Sequence, residues 1–181
     1  MSRHANVLDR ERAAVILVDV QEAFRKAVAG FDAIAQRCAV LARGAREIGV
    51  PVIVTEQYPR GLGETVPEVA RELDGAPRIE KVCFSACEAD GFDLGGREQT
   101  VVAGVEAHVC VSQTVHDLLG QGVAVHVATD AVGSRAPADR EVALRKMELA
   151  GALPTTVETA LLELLGRAGT PEFKAVQELI R

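Results

Sequence analysis

Short unbroken runs of aliphatic residues recur along this chain, and between them lie longer segments whose apolar positions fall three and four residues apart. Ala14-Val15-Ile16-Leu17-Val18 is of strand length and has no polar interruption, which is the pattern of a strand buried on both faces. On this basis strands are predicted at 13–18, 51–55, 79–83, 100–104, 123–128 and 154–156. Helices are predicted at 30–48, 65–73, 109–121, 137–150, 157–166 and 171–180. Gly49-Val50-Pro51 and Gly120-Gln121-Gly122 supply the stops between helix and strand. Buried strands alternating with amphipathic helices are βαβ units. The expected fold is therefore α/β: a three-layer, Rossmann-like doubly wound, mostly parallel six-stranded sheet with helices on both faces. Neither a repeat nor a linker interrupts the pattern, so residues 1–181 are expected to form one domain.

Composition narrows the function classes. Aromatic residues make up 3% of the chain and tryptophan is absent, so the core must be aliphatic. The net charge is −6 and no lysine or arginine cluster relieves it, which argues against nucleic acid as a partner. No apolar run approaches the ~20 residues of a membrane span. The polar opening Met-Ser-Arg-His-Ala-Asn lacks the pattern of a secretory signal. Four cysteines (Cys38, Cys83, Cys87 and Cys110) are too few for a disulfide scaffold, and a reduced, cytoplasmic protein is expected.

In open α/β sheets, ligands bind beyond the carboxyl ends of the strands. Asp19, Glu56 with Gln57, Lys81, the 104–110 loop and Thr129-Asp130 all fall on that edge, where one crevice could hold them. Cys110 follows a strand and a glycine turn, where a helix should begin. The positive end of a helix favours thiolate over thiol, and the thiolate is the nucleophile. Each residue alone also has an ordinary reading: Asp19 as a turn former, Lys81 as a surface lysine, Cys110 as a small buried hydrophobe. Together they specify more. A carboxylate beside a lysine and a thiol can accept a proton from sulfur.

These segments carry a resemblance. Ala14-Val15-Ile16-Leu17-Val18-Asp19-Val20-Gln21-Glu22-Ala23-Phe24 resembles the opening strand motif of the isochorismatase-like cysteine hydrolase superfamily. Gly104-Val105-Glu106-Ala107-His108-Val109-Cys110-Val111 resembles its nucleophile motif. Val54-Thr55-Glu56-Gln57-Tyr58-Pro59, Lys81-Val82-Cys83-Phe84 and Val127-Ala128-Thr129-Asp130-Ala131 resemble its intermediate landmarks. The match covers nearly the whole chain and is closest to the isochorismatase domain-containing subgroup, whose members mostly lack an assigned substrate. It implies Cys110 as nucleophile, Asp19 as general base and Lys81 as the cation that favours both ionised forms. It also implies a cis peptide at Val105–Glu106, which aims the backbone N–H groups of Glu106 and Cys110 at a developing oxyanion.

The departures from that superfamily matter as much. Its nicotinamidases carry an Asp-x-His pair after the second strand to bind a divalent metal. This chain reads Thr55-Glu56-Gln57-Tyr58 there, with no histidine nearby, so neither a catalytic metal nor another cofactor is expected. Isochorismate-cleaving members lack the nucleophilic cysteine that this chain has. The expected activity is hydrolysis of a small amide-, imide- or ureide-like C–N bond. The alternative is a catalytically silent binding protein that keeps the fold. Gln57, Tyr58 and His108 are candidate polar contacts to a small-molecule substrate, with Phe24 and Phe84 as apolar walls. Cys83 and Cys87 have the wrong spacing for a common redox or metal motif. A homo-oligomer, dimer or tetramer, is expected; the aliphatic stripe at 157–166 fits either an interface or the core.

Overall fold

The computed structural model describes residues 4–181 apart from 74 and 77. The order of elements is β1 (Ala13–Val18), α1 (Phe31–Ile48), β2 (Val52–Gln57), the single turns α2 (Pro59–Leu62) and α3 (Pro67–Ala70), and β3 (Arg78–Lys81). Next come β4 (Gln99–Val105), a π-turn at Ala107–Val111 leading into α4 (Ser112–Gly120), β5 (Ala124–Gly133) and α5 (Pro137–Leu149). The chain closes with β6 (Leu153–Thr155), α6 (Val157–Leu165) and α7 (Pro171–Leu179). The six strands lie in the order β3-β2-β1-β4-β5-β6, and every pairing is parallel.

All six residues of β1 and all seven of β4 are buried, because helices cover both faces at the centre of the sheet. On one face α1, α6 and α7 enclose Val15, Leu17, Leu41 and Leu161; on the other α4 and α5 enclose Ile16, Val102, Val115 and Met147. The core is aliphatic, with Phe31 its largest fully buried side chain. The stripe at 157–166 resolves as core: Val157, Ala160, Leu161 and Leu164 are buried. Gly44 of α1 lets Leu161 in close, since a Cβ there would sit 2.6 Å from a Leu161 methyl.

Strand order reverses between β1 and β4, which makes that gap the switch point where a doubly wound sheet opens a crevice. Two backbone features mark it. Gly104 has φ +120°, and a Cβ there would lie 2.0 Å from the carbonyl oxygen of Val18. Asp19 (φ 52°) and Tyr58 (φ 38°) are the non-glycine residues with positive φ among those described, at the ends of the adjacent strands β1 and β2. Left-handed backbone outside glycine is uncommon and collects at sites that over-determine it.

Three expected elements differ. The helix at 65–73 is one turn, Pro67–Ala70. The helix expected at 109–121 opens as a π-turn two residues earlier. Strand β5 runs on to Gly133, so Thr129 and Asp130 lie within it rather than in a loop at its end. Among the described residues no helix is long and apolar enough to cross a membrane.

Candidate active site

The ends of β1, β2 and β3 deliver a buried charge cluster. Lys81 is the one buried residue of the edge strand β3, and its side chain and that of Asp19 are both 0% exposed. The Lys81 ammonium donates to Asp19 Oδ2 at 2.7 Å, to Gln57 Oε1 at 2.7 Å, and to the carbonyls of Phe84 at 3.1 Å and Cys83 at 3.3 Å. Thr55 Oγ1 donates to the other Asp19 oxygen at 2.7 Å. An ion pair removed from water persists only when its remaining donors and acceptors are matched, and here they are.

Gln57 is held just as firmly. Buried Gln21 donates its Nε2 to the carbonyls of Gln57 and Gly63 and accepts the Gln57 backbone N–H on Oε1 at 2.7 Å. The Gln57 side chain donates to the Val82 carbonyl at 2.9 Å, which turns its oxygen toward Lys81 and toward Cys110, whose Sγ lies 3.9 Å away. One amide oxygen therefore bridges the ammonium and the thiol.

Cys110 arrives from the other side of the switch point, on the π-turn after β4. The backbone N–H groups of Val109 and Val111 both donate to the carbonyl of Glu106, at 3.0 and 3.2 Å, which fixes the turn. The Val105–Glu106 peptide is cis. Burial pushes the Cys110 thiol up to about 12; the charge of Asp19 and its hydrogen bond to sulfur act in the same direction, and Lys81 opposes them. The expected lowering by a helix N-terminus is overridden, because desolvation of a buried sulfur outweighs it. At neutral pH Cys110 rests as a thiol.

A cavity of about 460 Å³ opens in front of Cys110. Phe24, Phe84, Leu62 and Val109 give it apolar walls, and Gln57, Glu106 and Arg135 give it polar points. Of the candidate contacts, Phe24, Gln57 and Phe84 line it. Tyr58 stands outside, more than half exposed, with its backbone N–H donating to the Lys81 carbonyl. His108 also stands outside; its Nδ1 lies 3.0 Å from Ser134 Oγ and its Nε2 3.8 Å from Asp139.

The other residues grouped on the strand edge serve the scaffold. Glu56 accepts from the backbone N–H and hydroxyl of Thr65. Asp130 pairs with Arg37 of α1 and accepts the Val157 N–H at the start of α6. Among the described residues no group of three His, Cys, Asp or Glu side chains converges to hold a metal. Arg135 and the side chain of Glu106 escaped sequence reasoning. Arg135 lies in the β5–α5 loop with no periodic pattern around it, and Glu106 was singled out for its backbone alone.

Comparison with known proteins bears on the family and the fold. The family model described as the isochorismatase domain matches residues 13–159. Isochorismatase domain-containing protein 2 of Pongo abelii is 44% identical over 170 residues, which is 92% of this chain and 82% of that protein. The MAR1 ribonuclease structure from Caenorhabditis elegans superimposes with a TM-score of 0.93 at 42% identity, covering 96% of this chain and 92% of that one. YcaC of Escherichia coli, described as an octameric hydrolase of unknown specificity, gives a TM-score of 0.87 at 27% identity, covering 99% and 92%.

Proposed function

This chain belongs to the isochorismatase family, and from that premise we propose that it is a metal-independent cysteine hydrolase of small amide-, imide- or ureide-like C–N bonds. The observation that carries the reading is the fully buried Asp19–Lys81 pair, 2.7 Å apart, joined through the Gln57 oxygen to a cysteine in the wall of an apolar cavity. A buried charge pair is costly to keep, and a site of chemistry is where a fold tolerates one.

In this reading the Cys110 proton moves to Asp19 as sulfur attacks the substrate carbonyl, forming a C–S bond. The oxygen gathers negative charge, which the backbone N–H groups of Glu106 and Cys110 stabilise. Collapse breaks the C–N bond, and the departing nitrogen takes the proton from Asp19. Water then attacks the thioester, gives a proton back to Asp19, and the C–S bond breaks to release the acid. The thiol is restored when Asp19 returns that proton, so substrate and one water become an acid and an amine. Lys81 keeps Asp19 in place between these transfers.

The same reading takes the whole chain as one hydrolase domain acting in the cytoplasm. Homo-oligomerisation extends to this chain from the octameric relative. Nucleic acid stays among the substrates to be assayed, because a relative 42% identical carries the name MAR1 ribonuclease. Acidic composition alone does not outweigh that name.

The test is turnover by Cys110→Ala and Cys110→Ser against a panel of small amides, ureides and RNA. Both variants should lose hydrolysis while keeping the wild-type far-ultraviolet dichroism. An active Cys110→Ala protein sinks the mechanism, and a wild-type protein inert to the whole panel favours the silent binding reading.

A further inference from the structure

Glu106 is the least expected feature of the cavity. Its side chain is only 7% exposed, yet it lines the cavity in front of Cys110. One oxygen, Oε2, accepts from the backbone N–H of Arg135 at 2.9 Å and from its Nε at 3.0 Å. The other, Oε1, takes no hydrogen bond from any described residue and is not sealed off from solvent. A carboxylate oxygen that has no protein donor but can be reached from solvent is left for water or a ligand N–H to pair.

The charges in the cavity cancel in pairs. Lys81 neutralises Asp19, Glu106 neutralises Arg135, and Cys110 rests as a thiol. Phe24, Phe84, Leu62 and Val109 supply the rest of the wall. A guanidinium alone at this rim would draw carboxylates, since it is the side chain best suited to grip them. With its Nε already bonded to Glu106 the fork is partly occupied and its field offset. An anion entering here loses its water and then faces the Glu106 oxygen.

We propose that Glu106 is the specificity-determining residue of the site: it selects uncharged substrates that offer an N–H to Oε1, and it turns carboxylates away from Arg135. Small neutral amides and ureides meet that description, and anionic amides do not. The inference rests on the reading of Cys110 as the nucleophile and adds to it the charge class of the substrate. Rejection here is a difference between two ligands, achieved by leaving the wrong one badly paired.

Two alkylating probes of nearly equal size test it on the intact protein. Iodoacetamide is neutral and carries N–H groups; iodoacetate is an anion. The rate of Cys110 modification by each is followed by peptide mass spectrometry and divided by the rate with glutathione. Wild type should favour iodoacetamide by about tenfold more than glutathione does, and Glu106→Gln, which keeps the shape and removes the charge, should erase most of that preference. Arg135→Gln, at a mostly exposed side chain, should widen it, and this variant decides the matter if Glu106→Gln does not fold. A wild-type ratio equal to that of glutathione overturns the role of Glu106, as does a ratio unchanged in both variants. In those cases Cys110 still reacts and the nucleophile reading stands. A Cys110 that neither reagent modifies even at pH 10, while Cys83 or Cys87 is alkylated, overturns both.

Discussion

Removing one charge from the Asp19–Lys81 pair should damage the fold far more than removing both. The ammonium and carboxylate stand 2.7 Å apart with neither side chain exposed, so Lys81→Met leaves a carboxylate and Asp19→Asn leaves an ammonium in a site closed to water. Breaking a buried pair from one side costs about 3–5 kcal/mol, whereas exchanging both partners for neutral groups of similar size is often close to neutral. For a chain of 181 residues each single variant should therefore lose about 6–20 °C in Tm. The Asp19→Asn/Lys81→Met double variant should be no less stable than the milder single. Urea titration followed by circular dichroism gives the four free energies, compared at equal m-values. A double variant whose loss equals the sum of the singles within about 0.5 kcal/mol would refute the argument. It would mean that the two charges do not depend on each other.

Three further outcomes are expected. The Cys110 thiol is raised to about 12, so its alkylation rate should climb about tenfold per pH unit from pH 6 to 10 with no plateau, and a plateau below pH 9 would contradict that environment. Gly104→Ala should yield little soluble protein, because its Cβ would meet backbone atoms of Val18 at 2.0–2.8 Å and backbone cannot swing aside; normal expression with an unchanged Tm would be the contrary result. His126 is buried in β5, its Nε2 has no partner among the described residues, and burial depresses its protonation. Its contribution is present above the ordinary histidine value and is lost as pH falls through the lower folded value. His126→Leu should flatten the fall in stability as the pH drops below the ordinary histidine value of about 6.5, and an unaltered slope would exclude His126 as its source.

How much of this could be read in the sequence depended on what each residue buries. The central strands announced themselves because both faces are covered, leaving Ala14–Val18 without a polar residue. Asp19 and Cys110 stood out by interrupting or ending such runs. Lys81 followed from its place in the third run, although its strand is short and Lys81 is its one buried residue. The end of β5 was misread because Thr129 and Asp130 look like turn residues. They stay in the strand because Arg37 and the start of α6 satisfy Asp130 from a distance. The cavity walls were half legible: Phe24 and Phe84 are the aromatics nearest the motifs, while Leu62 and Arg135 reach it from connecting segments whose path no local pattern encodes. The titration of Cys110 was read from a helix end, a local feature, when burial by the whole fold sets it.

Strand β3, at one edge of the sheet, has four residues and only Lys81 is buried, so a charge anchors its end while Ile79 packs partly against the core. Asp19 is separated from Lys81 by 62 positions, and the two meet only when β1, β2 and β3 are aligned to the residue. The pair is thus an architectural bolt, besides the part in chemistry proposed for it. A descendant that stopped hydrolysing anything would still be under pressure not to lose either end of the bolt singly, for folding alone. The cysteine carries no such obligation: a smaller neutral residue in its place leaves the bolt intact. Among related chains, then, a retained aspartate and lysine are by themselves no sign of a working copy.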